Sequence, residues 1–158
     1  MGSRKIEFKW AIIFVLFTLF WIWMEKSFGL HDVHLDKHAV YSNFMILFAF
    51  VIYALALLDK RKNGLGGKMT YLQGFTSSMV ITLIVTLFAP LTQYITSVYI
   101  TPDYFNNIIT YSTETGLMTA EEAANYFTLE NYIIQTLIFT PVAGLLISLI
   151  LPVFLKKR

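Results

Sequence analysis

Apolar residues run along this chain in long blocks rather than in alternation, and short polar, charged or glycine-rich stretches separate the blocks. Four blocks stand out: Trp10–Met24, Ala39–Leu58, a long one from just after Lys68 to Pro102, and Asn131–Leu155. A helix rises 1.5 Å per residue, so ~20 apolar residues cross the hydrocarbon core of a bilayer. The second and fourth blocks meet that length. The first is short, and Phe8 and Ser27–Leu30 extend it while Lys9 and Lys26 snorkel outward. The third is too long for one crossing, so its first part, Met69 to about Phe75, is expected to lie in the interface. Trp10 at one end of the first block and Trp21 with Trp23 at the other fit aromatic belt positions. The pattern predicts an all-α membrane protein over residues 1–158: a four-transmembrane-helix bundle with spans at about 8–28, 39–58, 76–100 and 131–155. An outer loop covers 101–130.

Composition supports the same picture. Of the 158 residues 56% are hydrophobic and only 14% charged, where soluble domains run at about 45–50% and about 25%. Mean hydropathy is +0.61. With no cysteine, thiolate metal sites, disulfides and cysteine nucleophiles are excluded. The first block follows basic Arg4 and Lys5, as a signal peptide would, but Trp21–Met24 is bulky where a cleavage site needs small residues. It is expected to be retained. Gly2 is followed by Ile6 where an acylation signal requires Ser or Thr.

Charge fixes the expected orientation. Arg4, Lys5, Lys9, Lys60, Arg61, Lys62, Lys68, Lys156, Lys157 and Arg158 fall on one side of the predicted spans, leaving only Lys26 and Lys37 on the other. Glu25, Asp32, Asp36, Asp103, Glu114, Glu121, Glu122 and Glu130 all fall with that second group. The positive-inside rule puts both termini and the 59–68 loop in the cytoplasm. The basic clusters suit anionic lipid head groups as well, and call for no nucleic-acid partner.

Within the 59–68 loop, Gly66-Gly67-Lys68 resembles part of a phosphate loop, but no GxxxxGK[ST] is present and no strand precedes it. A tight turn accounts for the glycines. In the outer loop, Pro102-Asp103 is a helix start, and Tyr104, Ile108 and Tyr111 have amphipathic spacing. Thr119-Ala120-Glu121-Glu122 fits a capping box that opens a second short helix through Tyr126. Phe105, Tyr111, Tyr126, Phe127 and Tyr132 suit helices lying along the membrane surface, as a lid on the bundle or as a docking surface.

All three histidines lie in His31-Asp32-Val33-His34-Leu35-Asp36-Lys37-His38. If the stretch is helical, His31, His34 and His38 fall within roughly a 60° arc. Imidazoles so placed can share zinc or copper, with Asp32 or Asp36 orienting one of them, or can respond to pH. A plain polar loop ahead of the second span is the simpler account.

The third and fourth spans carry small or polar stripes. Ser78, Thr82 and Thr86 follow at intervals of four, with Pro90, Gln93 and Ser97 near the same face; Thr136, Thr140, Gly144, Ser148 and Pro152 do likewise. Such stripes let helices approach closely; alternatively they line a polar path, with Gln93 and Gln135 as its most polar members and bends at Pro90 and Pro141. No charge falls in the middle of a span, which counts against an ion-coupled transporter. No nucleophile, base and orienting acid occur together, so no enzyme is expected, and no cofactor motif is present.

The segment Gly64 to Lys68 followed by Met69-Thr70-Tyr71-Leu72-Gln73-Gly74-Phe75, the end of the third span Val98-Tyr99-Ile100-Thr101-Pro102-Asp103, and Gly144–Ile150 before a basic end together resemble a known family. It is the bacterial membrane-protein family called domain of unknown function 4199, found mainly in Bacteroidota. Ser77 and Ser78 stand where members often carry a further glycine. The resemblance implies the same topology and a bacterial inner membrane, and it implies no mechanism. The expected role is a structural or accessory subunit, as a homo-oligomer or within a larger membrane complex. A passive channel for a small solute is the alternative, and a metal-binding or pH-sensing protein using the outer histidines is third.

Overall fold

The computed structural model describes residues 4–157; Gly2 and Arg158 of the readings above lie outside them. The described chain is helical: α1 (Lys5–Ser27), α2 (Leu35–Ser42), α3 (Met45–Asp59), α4 (Tyr71–Ile95), α5 (Tyr104–Glu114), α6 (Ala120–Tyr126) and α7 (Leu129–Leu155). Wider π-type turns at Lys60–Gly64 and Thr96–Ile100 prolong α3 and α4. Four runs are long and apolar enough to cross a membrane: Lys5–Ser27, Leu35–Gly64, Tyr71–Ile100 and Leu129–Leu155. They pack in a ring, α1 against α3, α3 against α7, α7 against α4 and α4 against α1.

The expected boundaries move in two places. The stretch Met69–Phe75 is not a separate interfacial segment: α4 starts at Tyr71 because Thr70 and Gln73 form a reciprocal capping box, Gln73 N donating to Thr70 Oγ1 at 3.2 Å and Thr70 N to Gln73 Oε1 at 2.8 Å. The second run is broken at Asn43-Phe44 into α2 and α3, and its last turns reach Gly64 rather than Leu58. The glycines of the 59–68 loop turn the chain as expected. In the outer loop both short helices are present, and Thr119 and Glu122 form the second capping box.

The bundle is joined tightly at one end. Met69 and Lys157 exchange backbone bonds of 2.8 and 2.9 Å, tying the start of α4 to the end of α7. Arg61 donates to the carbonyl of Leu155 at 2.9 Å. Asp59 accepts from Lys9, and from Trp10 Nε1 at 2.7 Å. This basic end gathers Arg4 and Lys60 around the carboxylate of Glu7 and Lys9 on that of Asp59.

The α4–α7 seam explains half of the small-residue stripe. A Cβ on Gly144 would lie 2.3 Å from Thr82 Cγ2, so only glycine lets the two helices meet there. Ser78, Thr82 and Ser148 are fully buried beside it. Their hydroxyls bond back to their own helices, Ser78 to Gly74 O, Thr82 to Ser78 O and Ser148 to Gly144 O at 2.6–3.0 Å. Thr86 does the same to Thr82 O. With its proton given to Ser78, Thr82 Oγ1 accepts from the buried Tyr53 hydroxyl at 2.9 Å. Here the stripe lies in the close contact between the two helices. Tyr53, Ala11, Ala49, Ala56, Ile81, Val85 and Ile147 form the core around this point.

Candidate functional site: a carboxylate–imidazole centre at the outer-loop end

The end opposite the basic cluster is built around Glu25. It lies in the last turn of α1, yet it is only 3% exposed. Trp21, one turn earlier on the same face, donates Nε1 to Glu25 Oε1 at 2.7 Å, and Ser42 Oγ reaches the same oxygen at 2.8 Å. Its other oxygen is 3.4 Å from His31 Nε2. Glu25, His31 and His38 each present a ligand atom within 4.8 Å of the others.

Local chain geometry brings these residues together. α1 ends at Phe28, and Gly29 takes φ +74°, where a side chain would strike Val33 Cγ2 at 2.7 Å. That left-handed turn sends His31 back onto the end of α1, buried at 7% exposure. His38 and Ser42 are four residues apart in α2 and present the same face to Glu25. From the outer loop, α5 closes the site. Asn107 Nδ2 donates to His31 O at 3.0 Å, and the Tyr104 ring lies 5.3 Å from both imidazoles. The Tyr104 hydroxyl is 3.4 Å from that of Tyr132 on α7. Burial pushes the Tyr104 phenol up, against the opposing pull of that hydrogen bond, so it stays neutral near pH 7. α5 is thus packed on the bundle as a cover, with Tyr104 and Phe105 against Tyr132, and Phe127 at the end of α6 meets the same ring.

The predicted histidine trio is not what assembles. Residues 31–34 form turns rather than helix, so the arc expected for His31, His34 and His38 does not exist. His34 is the exposed residue capping α2, on the wall of a cavity of about 430 Å³ that reaches Glu25 from the surface. Neither expected aspartate is the acid at the site: Asp32 is exposed and accepts from the amide of Val33, and Asp36 is exposed in the first turn of α2. Glu25, counted from sequence among the acids of the outer side, takes that place. Part of its signal was available: Glu7, Ala11, Thr18 and Glu25 recur at helical spacing on one face of α1.

Of the other stripe residues, Gln93, Thr136 and Thr140 line a central cavity in this half of the bundle. Gln135 is half-buried and does not line it. The Gln93 amide donates to Ser97 Oγ at 3.0 Å.

The sequence profile of the family described as "Protein of unknown function (DUF4199)" matches residues 9–157. The chain belongs to that family. No curated protein and no solved structure matches this DUF4199 chain. The match runs from within α1 to the end of α7, and the chemistry has to be read from the site itself.

Two features of the site bear on that chemistry. His31 Nδ1 is buried with no hydrogen-bond partner among the described residues, an arrangement that costs free energy unless something occupies it. And among the described residues Glu25 is bonded or ion-paired with an indole, a hydroxyl and an imidazole and with no lysine or arginine, while exposed Lys37 lines the cavity that reaches it.

Proposed function

We propose that this protein is a multi-pass protein of a bacterial inner membrane, with its basic end in the cytoplasm, that binds one divalent transition-metal ion at its outer end. Glu25, His31 and His38 are the ligands. The observation that carries the reading is a buried carboxylate grouped with two imidazoles and, among the described residues, bonded to no lysine or arginine. Such a group needs a positive partner, and the nitrogens make that partner a metal of the zinc, copper or nickel class rather than magnesium or calcium. Zinc bonds of 2.0–2.2 Å to nitrogen and oxygen imply ligand atoms roughly 3.4 Å apart. A maximal separation of 4.8 Å closes to that value by side-chain movements of about 1 Å. Tyr104 shields the pair, and the cavity between α1 and α2 supplies an entry path. The role we propose is binding.

Zinc titration of chelator-stripped protein in detergent, followed by calorimetry and metal analysis, tests this directly. One equivalent should bind to the wild type and to His34→Ala, while Glu25→Gln, His31→Ala and His38→Ala each weaken binding at least tenfold. Equal loss in His34→Ala, or no uptake by the wild type, would overturn it. Periplasmic and cytoplasmic reporter fusions at the C-terminus test the orientation.

A subunit role in a larger assembly is the second reading. It is favoured by α1, the least buried of the four long helices, whose outward Leu16, Phe20 and Trp23 are all more than half exposed. Light scattering of the particle extracted in mild detergent decides it: a single-chain mass would remove this reading and leave the metal site untouched.

A further inference from the structure

The basic half of the bundle is closed by the Thr82–Gly144 contact, but the half beneath the histidine site is hollow. A cavity of about 350 Å³ lies between α1, α3, α4 and α7, within the size range of small-molecule sites. Its walls are aliphatic and aromatic with scattered threonines. Apart from the Tyr53 phenol, which is committed to Thr82, no lining side chain is ionisable. Two of its lining residues, Ile46 on α3 and Phe139 on α7, are more than half exposed, which opens the cavity sideways between those helices toward lipid.

A buried hydroxyl beside the chamber is unsatisfied. Thr96, at the start of the π-type turn that ends α4, is 9% exposed and its Oγ1 has no hydrogen-bond partner among the described residues. The neighbouring threonines differ: Thr18, Thr92 and Thr136 each bond to a carbonyl of their own helix at 2.8–3.0 Å. At Thr96 the wider turn brings Thr101 N and Oγ1 onto the Thr96 carbonyl, at 2.8 and 3.1 Å, and leaves the side-chain hydroxyl over. π-type turns of this kind recur at binding sites. An orphan hydroxyl in an uncharged, apolar, lipid-open chamber specifies its occupant closely.

We propose that the chamber takes up a neutral molecule from the bilayer, one with an apolar body and a single hydroxyl or carbonyl oxygen that pairs with Thr96. Isoprenoid alcohols, quinone-type carbonyls and long-chain alcohols share this chemistry; phospholipid head groups and charged amphiphiles do not fit an uncharged wall. The site is separate from the Glu25 centre and does not depend on metal.

The test uses the full chain in lipid nanodiscs and hexadecanol carrying a photoactivatable diazirine, with a trimethylammonium-ended chain of equal length as the charged comparison. The alcohol should label the Thr92–Thr96 and Phe139–Ala143 segments, and excess plain hexadecanol should compete. Thr96→Val keeps the shape and should lower that labelling severalfold. Ala89→Phe fills the chamber and should reduce it to background, while labelling at lipid-facing Leu87 and Phe154 stays unchanged. Equal labelling by the charged chain, or labelling unaltered by Thr96→Val, would overturn the proposal even if Ala89→Phe fails to fold. A chamber that takes only water gives no competable label and overturns it too.

Discussion

Glu7 and Glu25 lie on one face of one helix, about five turns and about 27 Å apart, and both are removed from solvent. Their surroundings differ in one respect. Glu7 accepts from Lys60 at 2.9 Å, Arg4 at 3.1 Å and Ser77 at 2.7 Å, so its charge is balanced by cations present at every physiological pH. Glu25 accepts from Trp21 and Ser42 and faces imidazoles. The first arrangement fastens the N-terminal end of α1 to the α3–α4 corner. The second leaves a charge that only a proton or an ion can balance. A buried carboxylate is thus a structural group or a binding group according to whether its partner is permanent.

The largest effect that separates the two ends should come from Lys60→Met. Removing one partner of a buried pair costs about 3–5 kcal/mol, which corresponds to a fall of roughly 10 °C in the melting temperature of a chain this size. Zinc affinity should not change, and calorimetry on the same sample checks both. If the melting temperature holds while zinc binding falls, the assignment of roles is reversed.

Next in size is His31→Lys, which would give Glu25 the kind of permanent partner Glu7 already has. Zinc affinity should drop roughly 100-fold by loss of one ligand and addition of a competing charge, while the metal-free protein keeps or gains thermal stability. A smaller effect is expected from acidity. Because imidazoles bind metal only when neutral, zinc affinity should weaken at least about tenfold between pH 7.5 and 5.5. The Glu7 end carries no histidine, so the fall in melting temperature caused by Lys60→Met should be the same at both pH values. The smallest effect belongs to Asp32→Asn, an exposed change expected within about 0.5 kcal/mol in stability and neutral for zinc.

The long helices were legible because their signal is local: an apolar run of sufficient length has few places to go other than a bilayer-spanning helix. The surface helices were legible for a related reason, since Thr119 and Glu122 carry their cap within four residues. The site was only half legible. His31 and His38 are visible as metal-type residues, but their grouping is set by Gly29, whose left-handed turn replaces the helix that would have aligned His34 with them. Glu25 was hidden by a different cause. Charge counting treats an acid at the end of a span as a solvent-facing residue, and only the approach of Ser42 on α2 and Tyr104 on α5 buries it. Likewise the threonine stripes look uniform in sequence. Gly144 decides where they close, because only there can α7 press against Thr82, and the same spacing further along borders empty space.

That contact has a mechanical meaning. Tyr53, Thr82 and Gly144 meet at the midpoint of the bundle, above a clamp made by the Met69–Lys157 bridge and below a hollow half. It is a fulcrum. The α7 arm beyond it, from Leu129 to Ala143, is held by neither the clamp nor this contact, and both the chamber and the cover over the histidines lie along that one arm.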